Sequence, residues 1–334
     1  MTADARSSGA AGARLDVRPL EAGDLDAAAA LLAERHRRHR LAEPLLDPAY
    51  EELGAARREI EALLAVESAD GWFASRAGTP AGFLVGISKS TATWGGNVWV
   101  ESAGHAATDA PAVRALYSAA AAAWVDAGRP NHHVLLPATD RDLIEAWFGL
   151  DFGQQHIHAV RALPPASFGV VPDTEMLVRR AARADIPALV DLELVLPRHS
   201  RRSPVFSRLE PEPADEVRAN LEADIDDGRW TMFVAEVSGR VVGSAIGCAL
   251  TESSTNSGLV RPANAGFLGY AAVLPGARGL GVGRALGETV LAWARDAGYA
   301  VVATDWRSTN LEADRSWRGL GFRPTFLRLH RLIG

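Results

Sequence analysis

Cysteine is almost absent: Cys248 is the single one in 334 residues, so no internal disulfide can form. It sits in an apolar, strand-like run, V-V-G-S-A-I-G-C-A-L, where a small buried residue with an inert thiol is expected. Lysine is as scarce. Lys89 is the only one among 35 basic residues, an arginine bias of the kind a GC-rich genome produces rather than a functional patch. With 41 acidic residues the net charge is −6 and no basic stripe interrupts it, which excludes ordinary nucleic-acid binding and suits a neutral or cationic partner. No apolar run approaches the roughly 18 residues of a membrane span. Residues 1–13, M-T-A-D-A-R-S-S-G-A-A-G-A, lack the apolar centre of a signal peptide, so a disordered tail and a cytoplasmic location are expected.

Metal chemistry also finds little support. Seven of the nine histidines lie in the first half, and His36 with His39 or His156 with His158 share a face of a helix or strand. No cysteine or carboxylate stands at ligand spacing beside them, so no metal is expected and surface or interdomain positions are.

What the chain does have is a glycine loop near its end. Residues 265–288 read A-G-F-L-G-Y-A-A-V-L-P-G-A-R-G-L-G-V-G-R-A-L-G-E. An apolar run ending at Val273 reads as a buried strand, Pro275 stops it, and helical periodicity begins at Arg284. Gly279, Gly281 and Gly283, alternating with Leu280, Val282 and Arg284, let the backbone take positive φ and turn several N–H groups toward one anion. A helix start adds unpaired donors and the positive end of its dipole, so a phosphate or pyrophosphate is the expected ligand. The loop is no P-loop, because no Gly-Lys-Ser/Thr follows, and Arg284 stands where a dinucleotide fingerprint needs its third glycine.

The pattern Val273-x-Pro275-x-x-Arg278-x-x-Gly281-x-Gly283 resembles the acetyl-CoA loop of the GNAT N-acetyltransferases. Asn310, Ala313, Trp317, Gly321 and Phe322 match that family's second signature, with tryptophan where tyrosine is usual. The resemblance implies acetyl-CoA as co-substrate, held through the backbone of residues 278–284 with Asn310 and Trp317 alongside. It also implies that the Val273 N–H, at a bulge in the fourth strand, polarises the thioester carbonyl.

The fold is written twice. Val17-Arg18 leads to Asp24-Leu25, with Asp24 as helix cap, as Val178-Arg179 leads to Asp185-Ile186. His36-Arg37-Arg38 has an echo in His199 and Arg201-Arg202, and the hairpin glycines Gly78 and Gly82 mirror Gly239 and Gly243. Ala103–Phe152 aligns without a gap to Val273–Phe322, which pairs Gly128 with Gly298, Asp140 with Asn310 and Trp147 with Trp317. The expected architecture is therefore mixed α/β (α+β): two tandem GNAT-like domains, 14–162 and 175–334, joined by a linker at 163–174. Each has a mixed, mostly antiparallel sheet flanked by helices: a strand, two helices, a three-stranded meander, then strand, helix, strand, helix and a final hairpin. Opposite Arg278, Gly279, Gly281 and Gly283 the first half has Thr108, Asp109, Pro111 and Val113. Asp109-Ala110-Pro111 reads as an ordinary capped helix start, so the first domain is expected to bind no CoA.

Attack by an amine needs a base, since a primary amine is mostly protonated at pH 7. Many relatives carry a carboxylate on the fourth strand, but residues 265–273 hold only Tyr270 as an ionisable group. The other candidates are Glu252, Asp305 and His199, each of which also reads as a solvated loop or strand-end residue. Trp317 cannot give up its indole proton near neutral pH, so it reads as a packing residue. The implied function is acetyl transfer to a primary amine of a small molecule in the second half. Alternatives are a mycothiol-synthase-like acetyltransferase, on architecture alone, and a non-catalytic acyl-CoA-binding scaffold.

Overall fold

The computed structural model describes residues 14–91, 94–163, 176–207, 210–253, 256 and 258–334. The expected tail lies outside these residues, as does the expected linker beyond Leu163. The first half runs β1 (Leu15–Pro19), α1 (Leu25–Ala42), α2 (Leu53–Leu64), β2 (Ala69–Arg76), β3 (Thr79–Thr91), β4 (Gly95–Val100), β5 (His105–Ala107), α3 (Ala110–Asp126), β6 (Asn131–Pro137), α4 (Arg141–Phe148) and β7 (Gly153–Ala162). The second repeats it with β8 (Met176–Arg180), α5 (Ile186–Glu193), α6 (Val195–Ser200), α7 (Ala214–Asp224), β9 (Trp230–Val237), β10 (Arg240–Ala249), β11 (Ala265–Val273), α8 (Val282–Asp296), β12 (Val301–Arg307), α9 (Leu311–Gly319) and β13 (Arg323–Leu332).

Each half opens with the same buttress. Arg18 makes a two-pronged ion pair to Asp24, and Arg179 makes the same pair to Asp185, at 2.7–2.8 Å. These carboxylates also accept the backbone N–H of Glu21 and Ala182. Asp24 is thus not the helix cap expected: its side chain ties the strand exit to a short 3₁₀ turn and bonds no N–H of α1. At Ala77-Gly78 and Ser238-Gly239 successive positive φ angles make the two hairpin turns. The register in between is constant, so Arg38 stands opposite His199 and the histidine echo read from the sequence is out of step. One difference matters later: α1 is continuous through 18 residues, whereas its counterpart breaks at Leu194 into α5 and α6.

The chain divides into two compact units that do not coincide with the halves. The first comprises 1–155, 258–260 and 325–334, the second 156–257 and 261–324. In the first, the sheet order is β1-β2-β3-β4-β6 followed by the body of β13, with β5 on β3. In the second it is β7-β12-β11-β10-β9-β8. Neither half ends in the expected hairpin. Each ends in one long strand that pairs in the other unit's sheet: β7 lies antiparallel to β12, and β13 to β6.

In the second unit α5 and α7 bury Leu189, Val190, Val217 and Leu221 on one face of the sheet, against Met232 and Val234. Helix α8 packs on the other face. Gly243 and Gly247 of β10 admit it, since a Cβ there would come within 2.8 Å of Val282 and 2.7 Å of Trp293. In the first unit most histidines are core residues, not the surface groups expected: His36, His39, His105, His132 and His133 are all buried. Burial pushes the imidazoles of His39 and His105 down to about 3, helped by nearby Arg35, so both are neutral.

Candidate active site

The glycine loop leads from the end of β11 into α8. Gly279 and Gly281 have φ of +82° and +80°, and Gly281 is the residue from which α8 starts. Gly283 lies inside the first helical turn with ordinary φ, so its missing side chain matters for space rather than for backbone conformation. A Cβ at Gly281 would meet nothing within 4 Å, and one at Gly283 only the Val273 Cγ2 at 3.7 Å. The surface in front of the helix start is therefore open, bordered by backbone amides and carrying the helix dipole, which fits a pyrophosphate. Val282 is buried beneath it, while Leu280 is exposed. Arg278 pairs with Glu312 at 3.0 Å and Arg284 with Glu288 at 2.9 Å, each at the rim.

Beside the loop the sheet splits. Parallel pairing of β11 with β12 ends at Leu268 opposite Thr304. A bulge at Gly269 follows, because Leu268 faces Gly247 while Tyr270 faces Ile246. The bulge expected near Val273 thus falls four residues earlier. The Leu274 N–H donates to the Val242 carbonyl at 2.9 Å, so by the alternation of an antiparallel ladder Ala271 and Val273 turn their N–H groups away from β10 and into the gap. Two amides, rather than the one expected, thus face the gap. The gap, the glycine loop, α6 and α9 enclose a cavity of about 390 Å³. Val195, Leu196 and His199 line it on one side, Asn310, Ala313 and Trp317 on the other. Asn310 caps α9 by accepting the Ala313 N–H at 3.2 Å, and Trp317 is buried, edge-on to Phe322.

Of the four acid–base candidates only His199 reaches this cavity. Tyr270 donates its hydroxyl to the Leu192 carbonyl at 2.5 Å, and burial, reinforced by Glu193, pushes its phenol far above the usual range. It fastens α5 to the sheet and holds its proton. Glu252 follows the far end of β10, which pairs with the start of β11, and faces Arg229 at 3.7 Å. Asp305 belongs to a buried network: it meets His156 of β7 at 2.7 Å and Asn256, between β10 and β11, at 3.2 Å, and Asn256 in turn meets His158 of β7 at 3.0 Å. Burial alone would raise the Asp305 carboxyl, but the hydrogen bond and charge of His156, with His158 and Asn256, hold it far below the usual carboxylate range. Cys248 is fully buried and its thiol is pushed up to about 12, so it is inert.

The first unit has the same parts without the glycine loop. Asp109 caps α3 by accepting the Ala112 N–H at 2.9 Å, with Pro111 in the first turn. The matching hollow is lined by Asp109, Asp140, Asp142 and Glu145 together with Arg35, Arg38 and Arg114, and an aspartate rather than a glycine stands at its helix start. Arg35 of α1 donates to the carbonyls of Ser102 and His105. Ser102 is the counterpart of Ala272, which lines the second unit's cavity, and Arg35 is the counterpart of Leu196, which lines it too. A guanidinium therefore satisfies in the first unit the strand edge that the second leaves open.

Two residues of the second unit have partners or surroundings that the sequence did not announce. His156 belongs to the first half and reaches the second unit only because β7 crosses over. Glu193 reads as one more charge on a helix, yet burial, with Glu212 nearby, pushes its carboxyl up to about 7.

No helix among the described residues is long and apolar enough to cross a membrane. Residues 196–322 match the profile of the Acetyltransferase (GNAT) family. Aminoglycoside N(6')-acetyltransferase type 1 from Stenotrophomonas maltophilia is 35% identical over 113 residues, 34% of this chain and 72% of that protein. Among solved structures, a GCN5-related N-acetyltransferase from Sphaerobacter thermophilus superposes with a TM-score of 0.59 at 15% identity, over 95% of each chain. A tandem GNAT protein from the clavulanic acid biosynthesis pathway gives 0.50 at 16% identity, over 96% of this chain and 99% of that one, and supports the tandem fold. The glycine loop at a helix start, the split strands beside it and these relatives agree: the chain belongs to the GNAT family of acetyltransferases, enzymes that use acetyl-CoA as co-substrate.

Proposed function

We propose that the second unit transfers the acetyl group of acetyl-CoA to a primary amine of a small, cationic molecule, and that the first unit binds no CoA. The observation that carries this reading is the loop from Arg278 to Arg284, whose two left-handed glycines and open helix start occur in one unit only. Backbone amides of Gly279–Gly283 hold the pyrophosphate, with Arg278 and Arg284 at its rim and Asn310 and Trp317 along the arm. The N–H groups of Ala271 and Val273 stabilise the oxyanion that forms when the amine adds to the thioester, and the thiol leaves as thiolate. A cationic acceptor fits the acidic stretch Glu210, Glu212, Asp215 and Glu216 before and within α7, and the curated relative is by name an aminoglycoside acetyltransferase.

Two measurements test it. Calorimetry on the intact protein is expected to give one acetyl-CoA per chain; two would sink the assignment of the first unit. Thiol release measured across aminoglycosides, polyamines, amino acids and peptide N-termini is expected to rise with a small polycationic amine. Tight acetyl-CoA binding without release from any amine would replace catalysis by a binding role.

A further inference from the structure

Helix α5 ends in a residue whose place the internal repeat explains. Along the constant register of the two halves, Glu193 stands opposite Leu32, which is fully buried in the first unit's core. Its neighbours keep the apolar pattern: Leu25 matches Ile186, Ala29 matches Val190 and Ala33 matches Leu194. A carboxyl thus replaces leucine at a core-facing position, in the half that carries the CoA loop. Such a replacement is costly unless the group is paired. Yet Glu193 has neither an ion pair nor a hydrogen bond to its side chain among the described residues.

Glu193 does not itself line the cavity, but three features set it beside the reacting end of the site. Tyr270, one residue past the bulge and one before Ala271, bonds the carbonyl of Leu192, the residue before Glu193. The helix breaks directly after Glu193, and the next turn sends Val195, Leu196 and His199 into the cavity wall. Tyr270 also lies on the sheet face opposite α8, because its partner Ile246 packs with α5. This is the side from which an acceptor can approach a thioester held by the α8 loop.

We propose that Glu193 is the base that takes the proton from the acceptor amine. The proposal rests on the acetyl-transfer reading of the same site. The ammonium form of the acceptor gives one proton to the Glu193 carboxylate, and the freed nitrogen pair forms the C–N bond. The C–S bond then breaks, and the second nitrogen proton passes to the sulfur or to water. The ionisable groups that interact with Glu193 from the elements packed on it are Tyr270 of β11 and Glu212 of the segment before α7. Neither neutralises it: Tyr270 keeps its proton and carries no charge, while Glu212 adds negative charge that favours an incoming cation. With the carboxyl raised to about 7, the base is poised for work near neutral pH.

The test compares wild type, Glu193→Gln and Glu193→Leu, with neomycin and spermidine as acceptors. Glu193→Gln is expected to lower kcat by about 10²–10⁴-fold, to abolish the acid limb of the rate profile near pH 7, and to leave acetyl-CoA affinity unchanged. Glu193→Leu, which writes the first unit's residue into the second, is expected to raise Tm while losing the same activity. That split separates a base from a structural carboxylate. Glu193→Gln with wild-type kcat and an unshifted acid limb overturns the role of Glu193 and leaves acetyl transfer standing. A wild-type protein that binds acetyl-CoA but releases no thiol with either acceptor, or with the wider amine panel, overturns both.

Discussion

Single positions in the glycine loop do different physical jobs, which mutation can separate. Gly281 is left-handed, so any Cβ there is strained, and aspartate adds charge at the anion site. Gly281→Asp is expected to abolish acetyl-CoA binding and to lower stability by about 1 kcal/mol. Gly283 is helical with room for a side chain, so Gly283→Val is expected to fold normally and lose binding by obstruction alone. Calorimetry beside thermal melts checks both; normal acetyl-CoA affinity in either variant contradicts the loop assignment. Trp317 fits a packing role, since a Cβ on Gly287 would lie 3.5 Å from its ring and Phe322 meets it edge-on. Trp317→Phe is expected to alter turnover mildly, whereas Trp317→Ala costs about 3–5 kcal/mol. A hundredfold loss of kcat in a well-folded Trp317→Phe protein would show a direct part for the indole N–H in catalysis.

At the scale of elements, the loop, the helix cap at Asp109 and the duplicated strand–helix order were legible because each is written in local residues. The exchange of β7 and β13 was not. Both strands are ten residues long, and nothing local says which sheet edge a strand will complete. The bulge was misplaced for a related reason: Gly269 is one glycine among several, and only the register of β10 identifies it. Glu193 was readable in principle, by carrying the alignment of the halves through α1, where Leu32 exposes the anomaly. The same alignment yields a prediction. Leu196→Arg places the first unit's guanidinium beside the strand edge around Ala272 and is expected to raise the Kd for acetyl-CoA at least tenfold while leaving the fold intact. Unchanged affinity would show that Arg35 does not close the corresponding gap in the first unit.

The whole molecule should be sensitive to mild acid. His39 and His105 are neutral when folded, with values near 3, and His132 sits near 4, against about 6.5 in an unfolded chain. Between these limits the unfolded chain binds protons that the folded chain refuses, so stability falls as pH drops from about 6.5 toward 4, by several kcal/mol in total. The carboxylates held low by arginine, Asp24 and Asp185, weaken the fold only at lower pH. Urea midpoints measured from pH 7 to 4.5 check the window, and His105→Gln is expected to flatten the slope. A midpoint that stays constant over this range would show that these imidazoles titrate alike in both states.

The crossed strands also set the order in which the chain can be made. Residues 325–334 complete the first unit's sheet at β6, so that sheet keeps an open edge during translation of everything between. Synthesis runs at about 5–20 residues per second, so the nascent first unit waits tens of seconds with that edge exposed. Ribosome-bound chains halted before residue 325 should therefore keep a protease-sensitive first unit, which is expected to turn resistant once a tunnel-length tail after residue 334 lets residues 325–334 emerge.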